Sequence, residues 1–376
     1  MPDRNRAQQP GDEAILVFPA THPDGSRFIE AARQRAQRVV AASSVWDASL
    51  ATQLGELLQL PYIHDQAFPA QLVRLVEQRH ITSIYAPVAS VYAWLEHYIR
   101  SSGLPLRLIG DSPVKREIDR FDNLMAKVAD YRHFIDRCAG NGRALADTEI
   151  AAVFRLAASI YGESSEDKIA AMMAIFASAP AGDVVEIGSL AGKSAAVLAL
   201  LARRYETGNV LAIDPWLASA ATQYDAPETV RVHLVDEWRF EMLRADFVIN
   251  VWPVGLGSLN YLRQDSEHAC AAFRSEPSVT SAEFGRVDYR GEIAVIHIDG
   301  NHDYAQVKRD CELWLPLLAK DGWLILDDYV WVHGNGPQRV GDDLLIAREW
   351  EIDRCFVCGK ALFVKFRAAT GTLERK

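Results

Sequence analysis

Long apolar runs are missing from this 376-residue chain. None approaches the ~20 residues that cross a bilayer, so no membrane span or membrane partner is expected. The opening stretch, residues 1–13, is polar and lacks the apolar centre of a signal peptide; it reads as a disordered leader, and the protein as cytoplasmic. Positive charge is also scarce: 40 Lys and Arg against 50 Asp and Glu leave a formal charge of −10. That balance argues against a partner gripped through its phosphate backbone, so no nucleic acid is expected. The five cysteines (138, 270, 311, 355, 358) are odd in number and scattered. Only Cys355 and Cys358 are close together, and a lone C-x-x-C in an apolar strand-like run, without a second pair, fits reduced thiols rather than structural zinc. A G-x-G-x-x-G fingerprint is lacking too: the turn after the first strand reads Pro19-Ala20-Thr21-His22-Pro23-Asp24-Gly25.

What is present is a βα alternation, met twice. A chain of this length exceeds the usual single domain, so two are expected. Over residues 14–112, strands at 14–18, 38–42, 81–86 and 106–109 alternate with helices at 27–37, 67–78 and 91–101, which implies a small parallel α/β domain. This domain suits docking or oligomerisation, and a homo-oligomer is expected; gripping of substrate is the other role open to it. Residues 113–180 read as a helical linker and cap, with a loop at Gly140-Asn141-Gly142 and one apolar helix face carrying Ile169, Met172, Met173 and Phe176. A second, Rossmann-like α/β domain runs from 181 to 376, and its β-rich end (354–366) suits an antiparallel hairpin beside a mostly parallel sheet, seven-stranded in all.

The second domain opens on Asp183-Val184-Val185-Glu186-Ile187-Gly188-Ser189-Leu190-Ala191-Gly192-Lys193-Ser194, which is strand, glycine turn and helix start. A side chain at either glycine is expected to block a ligand or the positive φ of the turn. One reading is an S-adenosylmethionine site contacted by Glu186, Gly188, Ser189, Gly192 and Ser194. The other is a P-loop ending in Gly192-Lys193-Ser194, but only three residues separate the glycines where that loop has four, which changes the amides facing a phosphate. Asp214 closes the next strand, 28 positions after Glu186, where a carboxylate takes ribose hydroxyls. Asp265 and Ser266, after the short strand 261–263, are placed either for an adenine edge or to cap the loop. The segment 274–292 reads as polar loop.

Two further strands, 293–298 and 323–326, close on Asp299 and on Asp327-Asp328. Three carboxylates on one rim of a sheet repel one another unless a cation neutralises them, and hard oxygen ligands select Mg²⁺. Asp299, Asp327 and Asp328 are therefore the candidate metal ligands, with Asp299 also beside the cofactor. His302, three residues past Asp299, is the candidate general base, and His333 a second one. A Walker B reading of 324–328 accounts for the last strand but leaves Asp214, Asp299 and His302 without a role.

Taken together, Glu186-Ile-Gly-Ser-Leu-Ala-Gly-Lys-Ser194, Ala212-Ile-Asp-Pro-Trp216, Gln264-Asp-Ser-Glu267, His297-Ile-Asp-Gly-Asn-His-Asp-Tyr304 and Leu326-Asp-Asp-Tyr329 resemble the class I S-adenosylmethionine-dependent methyltransferases of the macrocin/mycinamicin sugar O-methyltransferase type. The resemblance covers roughly residues 165–365. It implies cofactor and Mg²⁺ sites, with Asp299, Asp327 and Asp328 on the metal and His302 as base. It departs at Asp327-Asp328, where the family often has Glu-Asp, and residues 14–112 have no counterpart in the family's sugar enzymes. That segment is similar, by pattern only, to the leading domain of ATP-grasp enzymes. The expected activity is O-methylation of a small polar metabolite such as a sugar or natural-product intermediate. A P-loop-like NTPase and a non-catalytic cofactor-binding scaffold are the alternatives.

Overall fold

The computed structural model describes residues 13–139, 142–229, 231, 235 and 237–367. The leader expected over 1–13 and the glycine loop at 140–142 therefore fall almost wholly outside the described residues. The chain divides into two compact units, Met1–Asn123 and Leu124–Lys376.

In the first unit the elements are β1 (Ala14–Val17), α1 (Pro23–Gln34), β2 (Arg38–Ser43), α2 (Ala48–Leu54), β3 (Leu58–Gln59), α3 (Phe68–Arg79), β4 (Ile81–Tyr85), α4 (Ala89–Ser102) and β5 (Arg107–Leu108). The five strands form a parallel sheet in the order β3-β2-β1-β4-β5. Alternation along β1 serves both faces: Leu16 packs with Phe68, Leu72, Ile84 and Leu95, while Val17 packs with Ile29 and Ala41. The sequence reading omits α2 and β3. Both are short and mostly exposed, so their apolar periodicity is weak; α2 is held instead by its cap, Asp47, whose carboxylate accepts the Leu50 amide at 2.9 Å.

The second unit begins with helices α5 (Pro113–Ala139), α6 (Asp147–Ser159) and α7 (Glu166–Phe176), of which α5 starts before the division. Residues 168–176 of α7 are buried on every side, not on one face, because α6 and the first helix after β6 both pack against it. Then follow β6 (Asp183–Ile187), α8 (Lys193–Tyr205), β7 (Val210–Ile213), α9 (Ala218–Ala221), α10 (Phe240–Gly255), β8 (Leu259–Leu262), α11 (Ser266–Ser275), β9 (Ser278–Ser281), β10 (Gly285–Asp288), β11 (Ile293–Ile298), α12 (Tyr304–Trp314), β12 (Leu318–Leu326), α13 (Gly336–Ala347), β13 (Ile352–Cys358) and β14 (Ala361–Phe366). Seven strands form one sheet in the order β13-β14-β12-β11-β6-β7-β8, with β14 antiparallel to both neighbours and the rest pointing one way.

The segment read as polar loop, 274–292, contains the hairpin β9–β10. Its residues are mostly polar because little of it is buried; the Asn260 side chain anchors it by donating to the Val279 and Gly285 carbonyls. Chain order reverses between β6 and β11, which are neighbours in the sheet, and a crevice opens beyond their carboxyl ends.

Candidate active site

The glycine loop sits in that crevice. Gly188, Leu190 and Gly192 have φ of +85°, +46° and +89°. A Cβ on Gly188 would lie 2.1 Å from the Asp299 carbonyl oxygen, and one on Gly192 would lie 2.8 Å from the Val251 side chain. The atoms that exclude side chains here belong to the chain itself. Gly188 lets the ends of β6 and β11 close up, and Gly192 lets α8 meet α10.

The loop is held from beneath and from the side. Glu186 is fully buried, accepting Ser189 Oγ at 2.6 Å and sharing a hydrogen bond with His297 Nδ1 at 3.0 Å. Burial, then the positive charge of Lys168, lowers the His297 pKa, so this imidazole is neutral and donates from Nδ1. Asp214 accepts the amides of Ser189 and Leu190 at 3.0 Å each and that of Trp216 at 2.7 Å, using three of a carboxylate's roughly four acceptor positions. Trp216 returns the contact through Nε1 to the Leu190 carbonyl at 2.9 Å.

A cavity of about 880 Å³ lies above this loop, toward the upper end of the ~300–1,000 Å³ found for small-molecule sites. Of the residues expected at a cofactor, Gly188, Ser189, Ser194, Asp214, Asp265, Ser266 and Asp299 line it, as do His302, His333, Asp327 and Asp328. Glu186 and Gly192 do not line it: the first is spent on Ser189 and His297, the second on Val251 and Phe247. Asp265 caps α11 by accepting the His268 amide at 2.9 Å, and the Ser266 hydroxyl accepts from Trp314 Nε1 at 2.9 Å. Lys193 turns its ammonium to the Gly162 carbonyl at 2.8 Å, binding the loop 161–164 that borders the cavity.

The carboxylate rim is where the sequence reading needs correction. Lys168, 1% exposed on α7, donates its ammonium to Asp299 Oδ2 at 3.0 Å and to Asp327 Oδ2. Burial alone would lower the Lys168 pKa, but the two carboxylates more than offset it and raise it. For Asp327 burial would raise the pKa, but Lys168, the hydrogen bond with Asp299 and His297 together outweigh it and the pKa falls; for Asp299 burial and the charge of Asp327 raise it. Lys360, on the β13–β14 turn, stands 3.9 Å from Asp328 Oδ1. The residues present do not fit a metal held by Asp299, Asp327 and Asp328: a fixed ammonium already bridges the first two. At an effective dielectric of about 20, unit charges 4 Å apart repel by about 4 kcal/mol, roughly doubled for a divalent ion. A different set, Asp299, His302 and Asp328, brings its ligand atoms within 4.8 Å of one another.

His302 is partly buried beside Asp328, whose Oδ2 lies 3.2 Å from Nε2; Nδ1 faces the Gln223 amide nitrogen at 3.3 Å. Burial drives the His302 pKa down to about 4 against the pull of nearby carboxylates, whereas burial and then Asp327 push Asp328 up to about 6. Trp331 packs edge-on against the His302 ring at 4.6 Å, and His333 against Trp331 at 5.5 Å. Lys168, Lys360 and Gln223 were invisible to motif reasoning. Lys168 lies in a helix pattern far from the strand-end motifs; a lysine inside an otherwise apolar helix is the one signal that could have pointed to a buried partner.

Residues 185–329 match the model of a family described as a methyltransferase domain. Among solved structures, the O-methyltransferase NovP is similar at 16% identity over 58% of this chain and 80% of its own, with a TM-score of 0.35. CalS11, a calicheamicin methyltransferase, is similar at 14% identity over 68% of this chain and 94% of its own, with a TM-score of 0.34. MycE, a methyltransferase of the mycinamycin biosynthetic pathway in complex with Mg, SAH and mycinamycin VI, is similar at 15% identity over 51% of this chain and 47% of its own, with a TM-score of 0.30. No curated protein matches the chain.

Proposed function

We propose that this methyltransferase domain transfers the methyl group of S-adenosylmethionine to a hydroxyl of a small polar metabolite, a sugar or natural-product intermediate. The observation that carries the reading is a single cavity, within the matched segment and its borders, that joins the glycine loop, Asp214 and Asp265 to the His302–Asp328 pair. S-adenosylmethionine, when bound, supplies a sulfonium-activated methyl group. Ser189, Asp214 and Asp265 offer it acceptors at the ends of β6, β7 and β8, and Ile213 and Trp216 offer apolar surface.

The acceptor hydroxyl must lose a proton as its oxygen attacks. His302 is neutral at pH 7 and its Nδ1 lone pair faces the cavity-lining Gln223, so an acceptor that displaces this amide meets a free base. Nε2–H then points to Asp328, whose carboxylate stabilises the imidazolium that forms. The C–O bond forms as the C–S bond breaks, the sulfur takes the electron pair, and the proton rests on His302. Positioning supplies much of the rate. Magnesium has no part in this reading, because Lys168 holds two of the three carboxylates expected to bind it.

Calorimetric titration tests the cofactor. S-adenosylmethionine is expected to bind with micromolar Kd and ATP–Mg²⁺ not to bind; Asp214→Asn, which keeps one accepting oxygen for the loop, is expected to weaken binding by about tenfold or more. Binding of ATP without S-adenosylmethionine would return the loop to the nucleotide reading. Cofactor binding with no turnover on any hydroxyl acceptor would leave the scaffold reading.

A further inference from the structure

Three carboxylates meet at the strand ends, and the question is which cation they face. The chain supplies two of its own. Lys168 reaches Asp299 and Asp327 from α7, and Lys360 approaches Asp328 from the β13–β14 turn. These lysines come from elements far apart in sequence, and the turn that carries Lys360 lies against the start of α7: a Cβ on Gly359, next to Lys360, would sit 2.4 Å from both the Lys168 amide nitrogen and the Ser165 hydroxyl that caps α7. Lys168 has no open path out, since residues 168–176 of α7 are buried throughout. An ammonium makes hydrogen bonds near 2.8 Å with free choice of direction, whereas Mg²⁺ demands about 2.0–2.1 Å and near-octahedral oxygens.

We infer that Lys168, with Lys360, is the built-in cation of this site, so that the Asp299–Asp327 pair is a lysine-bridged ion triad and the enzyme works without a divalent metal. Lys168 is a positioning residue. It fixes Asp299 at the end of β11, and with it the turn that carries His302, and it keeps two of the three negative charges from repelling the oxygen that His302 deprotonates. The role in turnover rests on the methyl-transfer reading; the exclusion of metal from the Asp299–Asp327 pair stands on the lysine geometry alone, and the titration decides the set Asp299, His302 and Asp328.

Titration of the full-length protein with Mn²⁺ at pH 7.5, followed by the electron paramagnetic resonance signal of the free ion, tests it. Wild type is expected to show no site tighter than about 1 mM, and Lys168→Met to bind Mn²⁺ about tenfold or more tightly than wild type, a gain that mere loss of structure would not produce. S-adenosylmethionine binding to wild type, measured before and after dialysis against EDTA, is expected to be unchanged. A wild-type Mn²⁺ site of micromolar Kd overturns the inference, whether Asp327→Asn removes it or His302→Ala does, the latter locating it on Asp299, His302 and Asp328. A folded Lys168→Met that gains no affinity overturns it as well. Should that variant not fold, the wild-type titration still decides. Failure of S-adenosylmethionine to bind under any condition would sink the methyl-transfer reading and leave the metal result standing.

Discussion

His302 shows how a residue's chemistry depends on what surrounds it. Free imidazole titrates near 6.5, but burial lowers this one to about 4, so it is an empty base at neutral pH. Replacing it, as in His302→Ala, is expected to cut methyl transfer by about 10²–10⁴-fold while leaving the S-adenosylmethionine Kd unchanged, read by parallel turnover assays and calorimetry. Asp328, whose pKa is pushed up to about 6, must be ionised to stabilise the imidazolium, and the base itself fails when protonated, so kcat/KM should fall as pH drops through about 6 and again as it approaches 4. Asp328→Asn should abolish the step near 6, and a step that persists there in this variant would mean that it belongs to His302. His302, Asp299 and Asp214 were all legible, since each ends a strand or follows one closely. Lys168 was not. Its partners lie 131 and 159 residues away, and nothing local in an apolar helix names them.

Among the elements, the β6 loop and the two helices beside it decide how the cavity is walled. Lys193 opens α8 with its ammonium on the Gly162 carbonyl, away from any phosphate nest. Lys193→Ala should therefore weaken S-adenosylmethionine binding by less than about tenfold, whereas a P-loop would lose its nucleotide outright; calorimetry separates the two. On α12, Asp310 is buried against Gln306 (3.0 Å) and Ser266 of α11, and burial raises its pKa to about 6. A carboxyl whose folded pKa exceeds its unfolded value of about 3.8 binds more protons when folded, so its contribution to stability declines as pH rises from about 4 through 6. Asp310→Asn removes that dependence. Its Tm relative to wild type should improve between pH 4 and pH 8, with a swing of at most about 3 kcal/mol, measured by thermal melts at both values. The glycines of the loop were readable as glycines that must be glycine; that Gly188 yields to the Asp299 carbonyl and Gly192 to α10 was not, because those neighbours arrive from about 60 to 110 residues further along the chain.

At the scale of the whole molecule, every residue lining the cavity lies between 161 and 360, within the unit Leu124–Lys376. A chain of residues 113–376 is expected to bind S-adenosylmethionine within about threefold of the full-length Kd. A loss beyond about tenfold would give the first unit a part in the site. The sequence by itself determined the two α/β patterns, the antiparallel last strand of the second sheet and the strand-end carboxylates, because alternation and strand length are properties of a few consecutive residues. The tertiary structure decided the short α2 and β3, the β9–β10 hairpin, the support role of Glu186, and above all which cation meets Asp299 and Asp327. Charge balance in a buried cluster is a sum over whatever the fold brings within a few ångströms, and a lysine supplied from another element looks, in sequence, like any other lysine.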